Sequence, residues 1–448
     1  MFNTDREFIE NKYHKINENF DPFERMAYHG YDFDKSTGLE DEEINDGLAK
    51  LYEKTRGLPH PVAKAHAVKY VLENTKIDIN EHDYFVGFWS VNRLANCVTS
   101  NKWNEEVFDN ILPELKEKMH DMNVSGAITI WPDFDHVVPD WDSILGLGFP
   151  GLKKRAEEYK ELHRKNNTLT PEKEAFFDGI IIEYTAIIDL VDRLYNYALT
   201  KSHAKAAKIA ECLCHIRDGA PQNTYEAMQV MYIYFMISEC FDSYQVRSLG
   251  NGLDRTLYRF YENDLKTGRY SRDEIDLKNG TYTKEEIREL FRYFLFQWSA
   301  IGNYWGQPFY MGGTNTGGST KYNELSYDIL DIYDEIGIYN PKIQLKINEN
   351  TPDKLLFKVI DMIRRGHSCF VFCCEPGMIK AVMTYGATYD EALNMDIRGC
   401  HETGVRANEV STGTGYVNAL KAVEYVFSNG FDSRTDKQFG LKTGELKD

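Results

Sequence analysis

The sequence has no run of 18 apolar residues, so no segment reads as a membrane-spanning helix. The longest candidate, Met228 to Ile237, is far shorter and reads as a buried helix. Positive charge is in deficit. The 52 lysines and arginines stand against 70 aspartates and glutamates, a net charge of −18. A surface of that sign repels nucleic acid and anionic membranes, both polyanions, and points instead to small-molecule or protein partners. Met1 to Glu7 has no apolar core like that of a signal peptide, so a cytoplasmic location is expected. The eight cysteines, at 97, 212, 214, 240, 369, 373, 374 and 400, have no framework spacing and are expected as reduced thiols. Cys212-Leu213-Cys214-His215 is the one metal-like pattern. It sits in a helical run where sulfurs two residues apart diverge, and no metal site is expected. No low-complexity linker or internal repeat divides the chain, so residues 1–448 are read as one large domain.

What the chain does contain is ample core-forming material, 42% hydrophobic and 13% aromatic. Charged surface helices are expected over 5–20 and 40–56, then an amphipathic helix from Val62 to Asn74 after Pro59-His60-Pro61. The alternation from Ile77 to Gly87 suits a strand-like turn and a strand. Helices are expected over 104–120, 151–166, 171–200, 203–218, 223–240, Leu253 to Leu265 and Lys284 to Phe296. Phe309 to Met311 enters the turn Gly312-Gly313-Thr314-Asn315-Thr316-Gly317-Gly318-Ser319-Thr320. Gly313 and Gly318 have phosphate-loop spacing, but Ser319 stands where that loop needs lysine, which argues against nucleotide binding. Pro341 to Ile347 alternates like a strand, Leu355 to Arg365 reads as a helix, Cys369 to Cys373 as a buried strand and Gly377 to Tyr385 as a helix. Strands alternating with helices indicate a parallel α/β barrel or sheet.

The chemistry concentrates in Asp396-Ile397-Arg398-Gly399-Cys400-His401-Glu402-Thr403. It places a cysteine, a histidine and a carboxylate in consecutive positions between ordered elements, a catalytic pattern whose plain alternative is a buried thiol beside a polar loop. In an extended segment residues i and i+2 share a side, so Cys400 and Glu402 face one substrate. His401 diverges from Cys400, which disfavours a thiol hydrolase.

Taken with other landmarks, these residues resemble the glycyl radical enzymes of the pyruvate formate-lyase-like superfamily. The landmarks are Ile77 to Gly87, His136-Val137-Val138-Pro139-Asp140-Trp141 with Gly148, Gly252-Leu253-Asp254-Arg255, Gly312-Gly313-Thr314 with Asn323 to Tyr327, and Gly399-Cys400-His401-Glu402. The resemblance implies a ten-stranded α/β barrel, here partial, within an extensive helical shell. It also implies that Cys400 forms the thiyl radical and that Glu402 is its acid/base partner, as in the dehydratase and lyase branch. By the same resemblance His136 approaches a substrate hydroxyl and Tyr416 contacts substrate.

This sequence departs from the family pattern at several points. Thr414 stands where a diol-dehydratase aspartate belongs, and Ser243-Tyr244-Gln245-Val246-Arg247 replaces a Ser-Asn-Gly-His-Ser run. Both departures speak against a glycerol-type substrate. Arg247 and Arg406 add positive charge that suits a carboxylate or sulfonate. Pyruvate formate-lyase itself places two cysteines side by side where this chain has Cys400-His401. Its acetyl-transfer reaction is therefore the lesser alternative, with a non-catalytic scaffold a further one. Nothing after Cys400 matches the family's radical motif. The expectation is a radical on a glycine outside this chain, installed by a partner activating enzyme that uses S-adenosylmethionine. The resemblance also implies a small-molecule substrate and a homodimer when the protein is complete, with no dissociable cofactor held by this chain.

Overall fold

In the computed structural model, residues 3–13, 33–88, 113–130, 138–239, 252–267, 282–300, 308–398, 402–407, 415–442 and 444 are described. The N-terminal half is a layered helical shell. Helix His60–Asn74 packs along Pro171–Ala198, which also contacts Trp141–Lys165 and Ala206–Asp218. Their starts follow from local chemistry. Asp140 accepts from the Ser143 amide at 3.2 Å. Thr170 accepts from that of Lys173 at 3.3 Å, and Pro171 is pre-set for the first helical turn. At Gly148 the chain adopts φ 65° and ψ 176°, breaking Trp141–Lys165 into two helical pieces. A Cβ there would lie 2.5 Å from the Gly219 carbonyl oxygen, so only glycine permits this approach.

The landmark segment Ile77 to Gly87 forms the short antiparallel pair β1 (Ile77–Asp78) and β2 (Gly87–Phe88). Between them, buried Phe85 and Val86 have no strand partner for their peptide groups. Two buried glutamines supply it. Gln229, from helix Thr224–Glu239, donates to the Val86 carbonyl at 2.8 Å and accepts from its amide at 3.0 Å. Gln297, from Lys284–Ala300, does the same for Phe85 at 3.0 and 3.2 Å. Each otherwise costly buried polar group is thereby satisfied.

Beyond the short β3 (Ile128–Ile130), a parallel three-stranded sheet forms the centre of the C-terminal half. It comprises β4 (Phe309–Gly312), β5 (Ile343–Ile347) and β6 (Phe370–Cys374), in that order. Period-two alternation sorts its faces. Phe309, Met311, Ile343, Leu345 and Phe370 join the main core with helices Glu324–Ile336 and Asp353–Arg364. The opposite face presents Tyr310, Gln344, Lys346 and Cys373, all buried. Beside it stands the antiparallel hairpin of β7 (Met395–Arg398) and β8 (Glu402–Val405). The remaining short strands are β9 (Gly415–Val417), β10 (Phe431–Asp432) and β11 (Lys437–Gln438).

The chain is thus α/β and helix-rich. Among the described residues, however, no sheet closes, and the ten-stranded barrel does not appear as such. The expected strand Cys369 to Cys373 is present one residue later, and it is less buried than its apolar sequence implied, with Phe372 half exposed. The single helix expected from Leu253 to Leu265 is two, Leu253–Thr256 and Tyr258–Thr267. The helix expected to end near His120 runs on to Ser125, where the Ser125 hydroxyl caps the Met122 carbonyl at 2.7 Å.

Candidate active site

The β7–β8 register pairs Met395 with Val405, Asp396 with Gly404, Ile397 with Thr403 and Arg398 with Glu402. Only Gly399, Cys400 and His401 connect the strands, and they lie outside the described residues. Opposed residues of an antiparallel pair project to the same face. Arg398, which is buried, and Glu402, which is exposed, are therefore neighbours at the end of the ladder nearest Cys400.

The other end of the hairpin is held by a buried polar cluster. Asp396 accepts from the Tyr310 hydroxyl at 2.7 Å and from Arg406 Nε at 3.1 Å. Arg406 Nη2 also donates to the Tyr310 hydroxyl at 2.7 Å. Lys346 Nζ donates to the Met395 carbonyl at 2.6 Å and sits 3.9 Å from the centroid of the Tyr310 ring. Lys321 Nζ donates to the Leu393 carbonyl at 2.7 Å and to Asn394 Oδ1 at 3.2 Å, just ahead of β7.

Burial sets the electrostatics here. It pulls the Lys346 ammonium down to about 7, against the opposing pull of Asp396 and with help from Lys321. Burial likewise lowers Lys321 to about 8, with nearby Arg406 adding to the effect. Burial and the adjacent Asp396 push the Tyr310 phenol well above its ordinary range.

The glycine-rich turn after β4 is tied into the same region. Buried Glu375 accepts from the Thr314 amide at 2.9 Å, from its hydroxyl at 2.7 Å and from Asn348 Nδ2 at 2.5 Å. Gly312 and Gly313 have φ of 76° and 110°. A Cβ on Gly312 would lie 2.2 Å from the Tyr322 ring, and one on Gly313 would lie 2.9 Å from Glu375 Oε1. The turn is therefore a structural clamp. Its following cation, Lys321, reaches the peptide before β7 rather than the turn itself.

His136, Arg247 and Cys400 lie outside the described residues. Glu402 is the first residue of β8 and is exposed. Arg406 lies inside, its guanidinium against Asp396 and Tyr310, with its side chain 14% exposed. Tyr416 is in β9, where it pairs with Thr129 of β3. Lys346, Tyr310, Lys321 and Glu375 were not singled out from the sequence. In an alternating strand, Lys346 reads as a solvent-facing position, but the Tyr310 ring and the start of β7 pack against it and it is buried.

A scan against protein-family models matches residues 92–448 to the family described as pyruvate formate lyase-like. Among curated proteins, trans-4-hydroxy-L-proline dehydratase of Clostridioides difficile is 24% identical, over 92% of this chain and 60% of that protein. Isethionate sulfite-lyase of Oleidesulfovibrio alaskensis is 24% identical, over 69% of this chain and 39% of that one. The crystal structure of a glycyl radical enzyme from Archaeoglobus fulgidus superposes with a TM-score of 0.75 at 18% identity, covering 98% of this chain and 60% of that one. The chain spans at most 60% of the length of these relatives. The match to the family model takes in most of the sequence and includes the stretch with Cys400 and Glu402, and the chain belongs to the pyruvate formate lyase-like family.

Proposed function

We propose that this chain is a large part of a glycyl radical dehydratase or lyase, cleaving a C–O, C–N, C–S or C–C bond of a small polar metabolite. The β7–β8 register carries this reading. It leaves Cys400 in a three-residue connection with Glu402 immediately after it, on a hairpin anchored at its base. The named relatives act on hydroxyproline and isethionate, both of which bear an acid group. An acid-bearing substrate is therefore favoured here too, with Arg247 as its expected partner, since Arg406 is engaged by Asp396.

In this reading a sulfur-centred radical on Cys400 takes a hydrogen atom from the substrate carbon, forming S–H and a carbon radical. Glu402 removes the proton of a hydroxyl on that carbon. The group on the neighbouring carbon then leaves with its bonding pair and collects the proton where it is basic enough. The product radical recovers its hydrogen atom from the Cys400 thiol, regenerating the sulfur radical. General acid/base help of this kind contributes roughly 10²–10⁴-fold. His136 and Tyr416 are assigned to substrate contact. The radical is stored on a glycine outside these residues and installed by an activating enzyme that uses S-adenosylmethionine.

Acetyl transfer of the pyruvate formate-lyase type is disfavoured. It would need a second thiol beside Cys400, but the sequence pair Cys373-Cys374 ends β6, where burial pushes the Cys373 thiol up to about 11. The test is an anaerobic screen of hydroxy and amino acids and sulfonates with the activated, complete gene product. Turnover that disappears in Cys400→Ser and falls by about 10²-fold or more in Glu402→Gln supports the reading. Turnover that survives Cys400→Ser overturns it.

A further inference from the structure

We propose that Lys346 and Tyr310 are positioning residues that fix the base of the hairpin carrying Cys400 and Glu402, and so set where that pair meets the substrate. The inference rests on the function proposed above and extends it to two side chains on different strands.

Lys346 lies in β5, the middle strand of the parallel sheet, with 1% of its surface exposed. Among the described residues no carboxylate lies within ion-pair distance of its ammonium. Its short contact is with a peptide carbonyl, that of Met395, the first residue of β7. A buried ammonium held by a backbone carbonyl and a ring face is an expensive way to fill space. An apolar side chain of similar length would pack there at less cost, and replacing buried charge by hydrophobic residues is often neutral or stabilising. What the lysine offers and a methionine does not is a directed bond to one particular peptide of the hairpin.

Tyr310 completes the attachment from β4. Its ring faces the Lys346 ammonium and its hydroxyl holds Asp396, so two neighbouring strands grip two consecutive residues of β7. Arg406 follows directly after β8 and donates to the same Tyr310 hydroxyl and the same carboxylate. Both legs of the hairpin are thus tied at one point of the sheet. The lysine is itself held in place. Tyr322 donates to its carbonyl at 3.2 Å, and a Cβ on Gly313 would come 3.3 Å from its Cδ. From Met395 to Arg398 β7 advances three residues toward the connection that contains Cys400, on the order of 10 Å of strand, so a small tilt at the anchored end is carried along that lever. Displacements of about 1 Å in a reacting group can cost about 10²-fold in rate.

The test compares Lys346→Met, Lys346→Arg and Tyr310→Phe in two independent ways. Hydrogen exchange of peptides covering Met395–Arg398 and Glu402–Val405 needs no radical. Lys346→Met should raise exchange there by about tenfold or more, while exchange of the helical core stays unchanged, and Lys346→Arg should restore protection. In the activated enzyme Lys346→Met should lower kcat by about 10²-fold with KM within about threefold, and the yield of glycyl radical should not change. Tyr310→Phe should loosen the same peptides to a lesser degree, and it carries the exchange test if Lys346→Met does not fold. Hairpin exchange that is unaltered in the folded variants overturns the inference. So does a loss of kcat that Lys346→Arg does not rescue. If hairpin exchange rises but Cys400→Ser leaves turnover intact, the proposed function fails while the attachment of the hairpin stands.

Discussion

Asp254 is fully buried and accepts from the Gly312 amide at 3.1 Å and from the Ser326 hydroxyl at 2.6 Å. Burial outweighs these bonds and raises its carboxyl to about 6. The folded value lies above the ordinary 3.8. The folded state therefore holds the proton more tightly than the unfolded chain, and stability is lost as pH rises through about 6. Asp254→Asn removes this titration. The difference in melting temperature between variant and parent should move in the variant's favour from pH 4.5 to pH 7, and a pH-independent difference would contradict the assignment. Lys346 has the opposite sign. Its value is depressed to about 7, so its burial penalty is fully present below neutrality and is relieved as pH climbs toward the ordinary lysine range. Lys346→Met should accordingly gain most relative to the parent at pH 6 and least at pH 9, as read by denaturant midpoints.

Gly312 joins β4 to its turn in a left-handed conformation, with the Tyr322 ring filling the space where a side chain would be. Gly312→Ala should destabilise the protein by roughly 2–4 kcal/mol in urea unfolding, combining backbone strain with overpacking. A cost below about 0.5 kcal/mol would show that the ring has room to move. Helix Ala419–Phe427 is packed with its polarity reversed. Buried Lys421 pairs with Asp432 at 2.9 Å, while Leu420 and Phe427 are largely exposed. Burial would raise the Asp432 carboxyl, but Lys421 and the bonds from Thr435 and Tyr425 outweigh it and hold it far below the ordinary range. The apolar stripe should make the isolated chain self-associate. The double variant Leu420→Glu, Phe427→Glu should reduce light scattering without lowering the melting temperature, since neither side chain is in the core.

The same elements mark the limits of sequence reading. Periodicity located the strands around Ile343 and Phe370 and most helices to within a few residues, because those patterns are local. The spacing of Cys400 and Glu402 singled out that stretch as a loop, but the pairing of β7 with β8 around it was not legible there. That Lys346 faces inward depends on which element packs over β5, and that Phe372 is half exposed depends on what pairs beyond β6. Neither is encoded in the local sequence.

Taken whole, the molecule is a helical shell around a parallel sheet whose polar face supports one hairpin. Among the described residues no helix is long and apolar enough to cross a membrane. The family is settled by a match over residues 92–448, and the reaction is the proposal. It is tested most directly by anaerobic electron paramagnetic resonance on the complete gene product, incubated with its activating enzyme and S-adenosylmethionine, with Cys400→Ser as the paired control. The account predicts a carbon-centred glycyl doublet in both proteins and turnover only in the parent. A demonstrably full-length product that gives no doublet, or a Cys400→Ser protein that still turns over, would contradict it.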